Sequence, residues 1–230
     1  MNASQILRVL TYNIFHGEFT KEDLTQLGHE IARMNADIVG LQEVDMYTSR
    51  MNGQNTLQQI AEAGGYPHYA FSKAIDYAGG GYGTAIMSRY PILSFETIPL
   101  ESGAFEHRAY GHAVIDVNGT SIDFFNTHIC VENREVRLAQ IQTVADAVSN
   151  CETFVLTGDF NTDNLSDFDV FQNTETLNQK EFLTYYPGSL AIDHIFLSHN
   201  IHSLNLEMPA CNLSDHYPLI AEVELIPSND

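Results

Sequence analysis

The sequence predicts an α/β (α+β) fold in which two packed β-sheets carry helices on their outer faces. Three observations lead there. Short apolar runs rich in β-branched and aromatic residues recur along the chain, only a few stretches space their apolar residues for a helix, and several runs end in a polar cluster. Many strands with few helices call for sheet-on-sheet packing with the helices outside. At 230 residues and 44% hydrophobic, the chain can bury a substantial core as one domain over 1–230, undivided by any Pro/Gly/Ser-rich linker.

The first strand is expected at 6–12, where Val9-Leu10-Thr11-Tyr12 runs into Asn13. A helix over Lys21 to Met34 follows, because Leu24, Leu27, Ile31 and Met34 recur at spacings of three and four and form one apolar stripe. The second strand, 37–42, is Ile38-Val39-Gly40-Leu41 leading into Gln42-Glu43, and a second helix covers Gln54 to Ala63. Strands at 68–72, 83–88 and 92–98 come next. The glycine-rich Gly79-Gly80-Gly81-Tyr82-Gly83 lacks the Lys-Ser/Thr ending of a phosphate loop and reads as a tight turn beside a cleft. Strands at 110–117 and 121–127 lead to Asn126-Thr127-His128. A third helix, Glu132 to Val148, places Leu138, Ile141, Val144, Ala145 and Val148 on one face and Arg134 and Arg137 on the solvated side. Strands at 153–157, 191–197 and 219–225 complete the set.

The ends of these strands carry the chemistry. Thr153-Phe154-Val155-Leu156 stops in Gly158-Asp159-Phe160-Asn161, with Phe160 directed away from the side that Asp159 and Asn161 share. Ile192-Asp193-His194 and Ser214-Asp215-His216 repeat the pattern, as do Asn13, Glu43 and His128. Taken singly, each has a plainer use: Asp-Phe-Asn fits an Asx turn, a lone Glu sits in solvent, and a lone His belongs to the core or surface. Taken together, they point to several strand ends converging on one cleft suited to metal-assisted phosphoester hydrolysis.

The ordered set Leu10-Thr11-Tyr12-Asn13, Leu41-Gln42-Glu43-Val44-Asp45, Tyr82-Gly83-Thr84-Ala85-Ile86 with Ser88-Arg89-Tyr90-Pro91-Ile92, Asn126-Thr127-His128, Gly158-Asp159-Phe160-Asn161, Ile192-Asp193-His194-Ile195 and Ser214-Asp215-His216 resembles the endonuclease/exonuclease/phosphatase superfamily from about Leu7 to Val223. The resemblance implies a four-layer α/β/β/α sandwich of two mixed sheets. It implies magnesium as cofactor, with manganese the alternative, held by Glu43 and Asp215 with Asn13 orienting Glu43 or the cation. It also implies His216 as general base with Asp193 as its carboxylate partner. Asp159 and Asn161 then position the attacking water and a phosphate oxygen. His128 is a phosphate ligand or the general acid, and Arg108 contacts the scissile phosphate, with Arg50 a second candidate. His194 is expected to be structural, and Thr184-Tyr185-Tyr186-Pro187 to shape one cleft wall.

Charge sorts the substrates. Ten Lys plus Arg against thirty Asp plus Glu give a net charge of -20, and the bases are scattered, so neither a duplex-DNA track nor a polyphosphate pocket is visible. The expected activity is hydrolysis of a phosphodiester in a small molecule or lipid head group. A metal-dependent nuclease is the alternative enzyme, and a catalytically silent binding module is the alternative of another class. Cys130, Cys151 and Cys211 are too far apart in sequence for a close-spaced zinc motif and are expected as free thiols. No apolar run reaches the length of a membrane span, and the first strand starts within a few residues of Met1, so a cytoplasmic location is the default expectation.

Overall fold

Alternation along each strand decides which layer a side chain enters, and in this protein it builds four layers. The computed structural model describes residues 4–226. Its strands are β1 (Gln5–Asn13), β2 (Ile38–Met46), β3 (His68–Tyr77), β4 (Gly80–Ser88), β5 (Ile92–Leu100), β6 (Arg108–Val117), β7 (Thr120–His128), β8 (Phe154–Asp159), β9 (Thr174–Thr176), β10 (Asp193–Ser198), β11 (Ile201–Glu207) and β12 (Leu219–Leu225). Its α-helices are α1 (Thr25–Arg33), α2 (Thr56–Gly64) and α3 (Arg134–Val148).

One six-stranded sheet has the order β11-β12-β1-β2-β4-β3, and the other β5-β6-β7-β8-β10-β9. Each is mixed: β1 and β2 are parallel at the centre of the first, β7 and β8 at the centre of the second, and the remaining pairs are antiparallel. Leu7, Val9 and Ile38 of the first sheet meet Ile122, Phe124, Val155 and Ile195 of the second in the seam between them. Leu10, Tyr12, Val39 and Leu41 face the other way and pack on Leu27, Ile31, Leu57 and Ile60 of α1 and α2. Phe125, Phe154, Leu156 and Phe196 point outward from the second sheet onto Ile141, Val144 and Val148 of α3. The expected four-layer sandwich of two mixed sheets is therefore present.

All ten expected strands and three expected helices form. The first helix starts at Thr25 rather than Lys21: a 3-10 segment occupies Phe15–Thr20, and the Asp23 carboxylate accepts from the Thr25 backbone N–H at 3.1 Å in an exposed turn before the helix. Asn55 and Asn133 cap α2 and α3 with their side-chain oxygens. Two strands were not foreseen. The three-residue β9 is too short to show a period, and β11 has a bulge between Ser203 and Asn205 that breaks its alternation. The glycine-rich run also differs from a simple turn: Ala78 and Gly79 form the hairpin turn with positive φ, and Gly80 begins β4. A Cβ on Gly80 would lie 2.1 Å from the Met46 carbonyl oxygen, so the run also serves close strand approach.

Candidate active site

The parallel centres of the two sheets end at the same edge of the sandwich. There β1 finishes in Asn13, β7 in His128 and β8 in Asp159, while the antiparallel neighbours begin there, β6 with Arg108 and β10 with Asp193. The seam positions grade toward this edge: Leu7, Val9, Thr11, Asn13 along β1, and Ile122, Phe124, Asn126, His128 along β7. At mid-strand the seam holds a buried amide network. Gln42 Nε2 donates to Thr11 Oγ1 at 3.0 Å and Asn126 Oδ1 at 2.6 Å, and Asn126 Nδ2 donates to the Leu41 and Ala85 carbonyls at 2.8 and 2.9 Å. Thr157 Oγ1 completes it, 3.1 Å from Asn126 Oδ1. Gly40 makes room for this tie, since a Cβ there would lie 2.3 Å from Thr157 Oγ1 and 2.6 Å from Asn126 Oδ1.

Beyond the network lies a cleft of about 280 Å³ lined by Glu43, Arg108, His128, Asp159, Asn161, Asp215 and His216, with Val131, Tyr185, Leu190 and Ile192 on its apolar side. Asn13 and Asp193 support it from behind. Asn13 Nδ2 bridges Glu43 Oε1 at 3.1 Å and Asp159 Oδ2 at 3.0 Å, and its Oδ1 accepts from the Phe15 N–H at 3.0 Å. Asn13 thus orients two carboxylates while its own oxygen is engaged. Ser214 Oγ donates to the Asn13 carbonyl at 2.6 Å and ties the Ser214-Asp215-His216 segment to β1.

Glu43 reaches the cleft through a bulge. The β2–β4 register shifts between Leu41 and Val44, and Glu43 has φ +57, a conformation a non-glycine residue holds only where its surroundings impose it. His16, at φ +45 in the turn after β1, has Nδ1 3.7 Å from Glu43 Oε2. Burial works against the Glu43 carboxylate, but the His16 and His128 rings, the Asn13 amide and the nearby His216 outweigh it and hold the group down at about 2. His16 was not singled out from the sequence. Its signal was available in Asn13-Ile14-Phe15-His16-Gly17, where Gly17 at φ +78 turns the chain back over the motif asparagine.

The two catalytic histidine candidates differ in state. His216 Nδ1 lies 2.7 Å from Asp193 Oδ2, and Nε2 lies 3.7 Å from Asp159 Oδ2. Burial alone would lower its pKa, yet Asp193, Asp159 and Asp215 hold it up at about 10. Burial and then the Asp193 charge push the Asp159 carboxyl up to about 7, although the facing His216 works the other way. His128 is held the opposite way, pushed well below the imidazole range by burial and then by the Arg108 charge. A guanidinium only donates, so His128 Nδ1 accepts from Arg108 Nη1 at 3.0 Å and the neutral ring keeps its proton on Nε2, 3.5 Å from Asp159 Oδ2.

Asn161 has φ +51, so the chain is not extended past Phe160; its N–H donates to Asp159 Oδ1 at 3.0 Å and its Nδ2 to the Ile129 carbonyl at 2.9 Å. Phe160 is fully buried on the far side, as alternation predicted. Tyr185 sets its ring 5.0 Å from that of His216, tilted by 48°, in the wall expected from Thr184 to Pro187. Arg50 does not face the cleft as a phosphate contact: its guanidinium is engaged bidentately by Asp45 at 2.6 and 2.8 Å and lies over Tyr77. His194 is fully buried and structural, 4.6 Å from the Phe168 ring, with burial holding it down at about 4.

The donor set suits a hard divalent cation. Glu43 and Asp215 both line the cleft, and burial, with the Glu43 charge adding to it, pushes the Asp215 carboxyl up, so the two carboxylates repel where a divalent charge would join them. Oxygen or nitrogen atoms of Asp159, Asp193 and His216 also lie within 4.8 Å of one another.

The family model described as endonuclease/exonuclease/phosphatase family matches residues 10–216. The uncharacterized protein YbhP of Escherichia coli (strain K12) is 25% identical over 251 residues, covering 95% of this chain and 96% of that protein. Among solved structures, an endonuclease/exonuclease/phosphatase from Beutenbergia cavernae superposes with TM-score 0.80 at 21% identity, covering 96% of this chain and 72% of that one. A mannosyl-6-phosphatase from Bacteroides thetaiotaomicron superposes with TM-score 0.71 at 21% identity over 94% of this chain and 99% of that one. At these identities the superpositions establish the shared fold.

Proposed function

Since the chain belongs to the endonuclease/exonuclease/phosphatase family, we propose that it is a divalent-metal-dependent hydrolase that cleaves a phosphodiester of a small molecule or lipid head group by in-line attack of water. The observation that carries the proposal is His216 held by Asp193 from behind and facing Asp159, beside Glu43 and Asp215, in one cleft. Glu43 and Asp215 would hold the cation, and Asn13 and His16 fix the Glu43 carboxylate. When bound, a magnesium-class cation supplies positive charge to a phosphate oxygen and offsets the carboxylates that keep His216 protonated. His216 Nε2 then serves as general base toward water, with Asp193 holding its Nδ1–H, while Asp159 and Asn161 orient that water. Neutral His128 offers its Nε2–H as a hydrogen bond to a phosphate oxygen. Arg108 sets that tautomer and adds the one arginine charge lining the cleft.

A single lining arginine suits one phosphate rather than several. Val131, Tyr185, Leu190 and Ile192 suit an apolar or aromatic alcohol next to it, and the net charge of -20 disfavours a long polyanion. The similarity to a protein named mannosyl-6-phosphatase is in keeping with a small phosphoester. The test is hydrolysis of bis-p-nitrophenyl phosphate, p-nitrophenyl phosphorylcholine and plasmid DNA with magnesium, manganese or chelator. Metal-dependent cleavage of the small diesters that His216→Ala abolishes is the expected result. Plasmid nicking alone would move the assignment to a nuclease, and silence with every substrate and metal would favour a binding module.

A further inference from the structure

A second cluster of ligating groups lies on the outer face of the second sheet, away from the cleft. His112 of β6 has Nε2 2.6 Å from Asp123 Oδ1 of β7 and Nδ1 3.1 Å from Glu96 Oε1 of β5. Cys151, in the turn between α3 and β8, brings its thiol to the same point, and the ligand atoms of His112, Asp123 and Cys151 lie within 4.8 Å of one another. All three side chains are half-buried, so an ion can enter from solvent. The His112 ring is also held flat against Phe125, with centroids 4.2 Å apart and an interplanar angle of 1°. Asp123 precedes His128 by five residues on β7, roughly 17 Å along an extended strand.

We infer that His112 Nε2, the Asp123 carboxylate and the Cys151 sulfur, whose thiol gives up its proton to solvent on binding, form a binding site for a zinc-class divalent cation, separate from the catalytic cleft. The donor types argue for that class. A nitrogen, a carboxylate oxygen and a sulfur are the mixed set that zinc takes in tetrahedral sites, whereas magnesium and calcium prefer oxygen alone. Glu96 provides the outer partner such a site needs: it accepts the Nδ1–H, so that Nε2 can exchange its hydrogen bond to Asp123 for a cation. The local charge agrees. Glu96 and Asp123 share one imidazole, and among the described residues no lysine or arginine forms an ion pair with either. A cation there would pin the α3–β8 turn to β6 and β7, at the start of the strand that carries Asp159.

The test is a titration of the reduced, intact protein with cobalt(II), read as the sulfur-to-cobalt charge-transfer absorption in the near ultraviolet. The cleft has no thiol among its lining residues, so the band reports this site and not the catalytic one. One cobalt per chain, displaced by zinc, is expected. Cys151→Ser abolishes the band, Asp123→Asn weakens binding at least tenfold, and Cys130→Ser and Glu43→Gln leave the band intact. Phosphoesterase activity of Cys151→Ser should match the wild type, which keeps this inference apart from the catalytic proposal. Absence of the band in the wild type, or its survival in Cys151→Ser, would overturn the inference.

Discussion

Asp193 and His194 are adjacent in sequence and both fully buried, yet they belong to different regions of the molecule. Asp193 points into the seam between the sheets and holds His216; His194 points into the layer under α3, among Phe160, Phe168 and Phe196. In the seam, polar groups at the strand ends are tied to one another and open on a cleft. In the outer layer His194 is isolated and held neutral, with a long contact from Nε2 to the Thr162 carbonyl at 3.3 Å and an unpartnered Nδ1. The contrast teaches that burial alone does not mark a catalytic group in this fold. What separates the two regions is whether a buried polar atom has charged partners aimed at a space a substrate can occupy.

The largest losses are expected at the cleft. Glu43→Gln or His216→Ala should lower kcat/KM by at least about a thousandfold, some 4 kcal/mol of transition-state stabilisation. Gly40→Val attacks the seam without touching the cleft, driving side-chain carbon into Thr157 and Asn126; it should cost roughly 3 kcal/mol of stability, read by denaturant unfolding. A neutral effect there would show that the amide network is not a tight tie.

The outer layer gives a pH signature instead. His194 is held down at about 4 against an ordinary value of 6.5, so below 6.5 the unfolded chain binds a proton that the native state refuses. Stability should fall as pH drops through that window, by up to about 3 kcal/mol, and level off below about 4 for this group. His194→Leu should flatten the pH dependence of unfolding across that interval; an unchanged slope would assign the acid sensitivity elsewhere. The smallest effect is expected at the apolar rim, where Leu190→Ala should raise KM for an aromatic diester a few-fold and leave kcat nearly unchanged.

Much of the scaffold was legible because period-2 runs map directly onto layers: Leu7 and Val9 against Leu10 and Tyr12 already separate seam from outer core. The cleft residues were legible as an ordered set of strand-end polar groups, from Asn13 to His216. The irregular backbone was not. Glu43 enters through a bulge, Asn161 leaves the extended path, and His16 arrives on a turn with successive positive φ values, none of which leaves a periodic trace. Arg50 shows the converse limit: an arginine near a motif looks available until its carboxylate partner, five residues earlier, is seen to claim it. The protonation states of His128 and His216 also follow only from the three-dimensional surroundings, burial and Arg108 in one case and Asp193 in the other.

The central claim, that function concentrates at the polar end of the seam, is tested most directly by measuring kcat/KM for bis-p-nitrophenyl phosphate with magnesium in Asp193→Asn and His194→Leu side by side. Asp193→Asn should lose about a hundredfold or more, and His194→Leu should stay within about threefold of wild type. Equal losses, or a larger loss in His194→Leu, would contradict the claim.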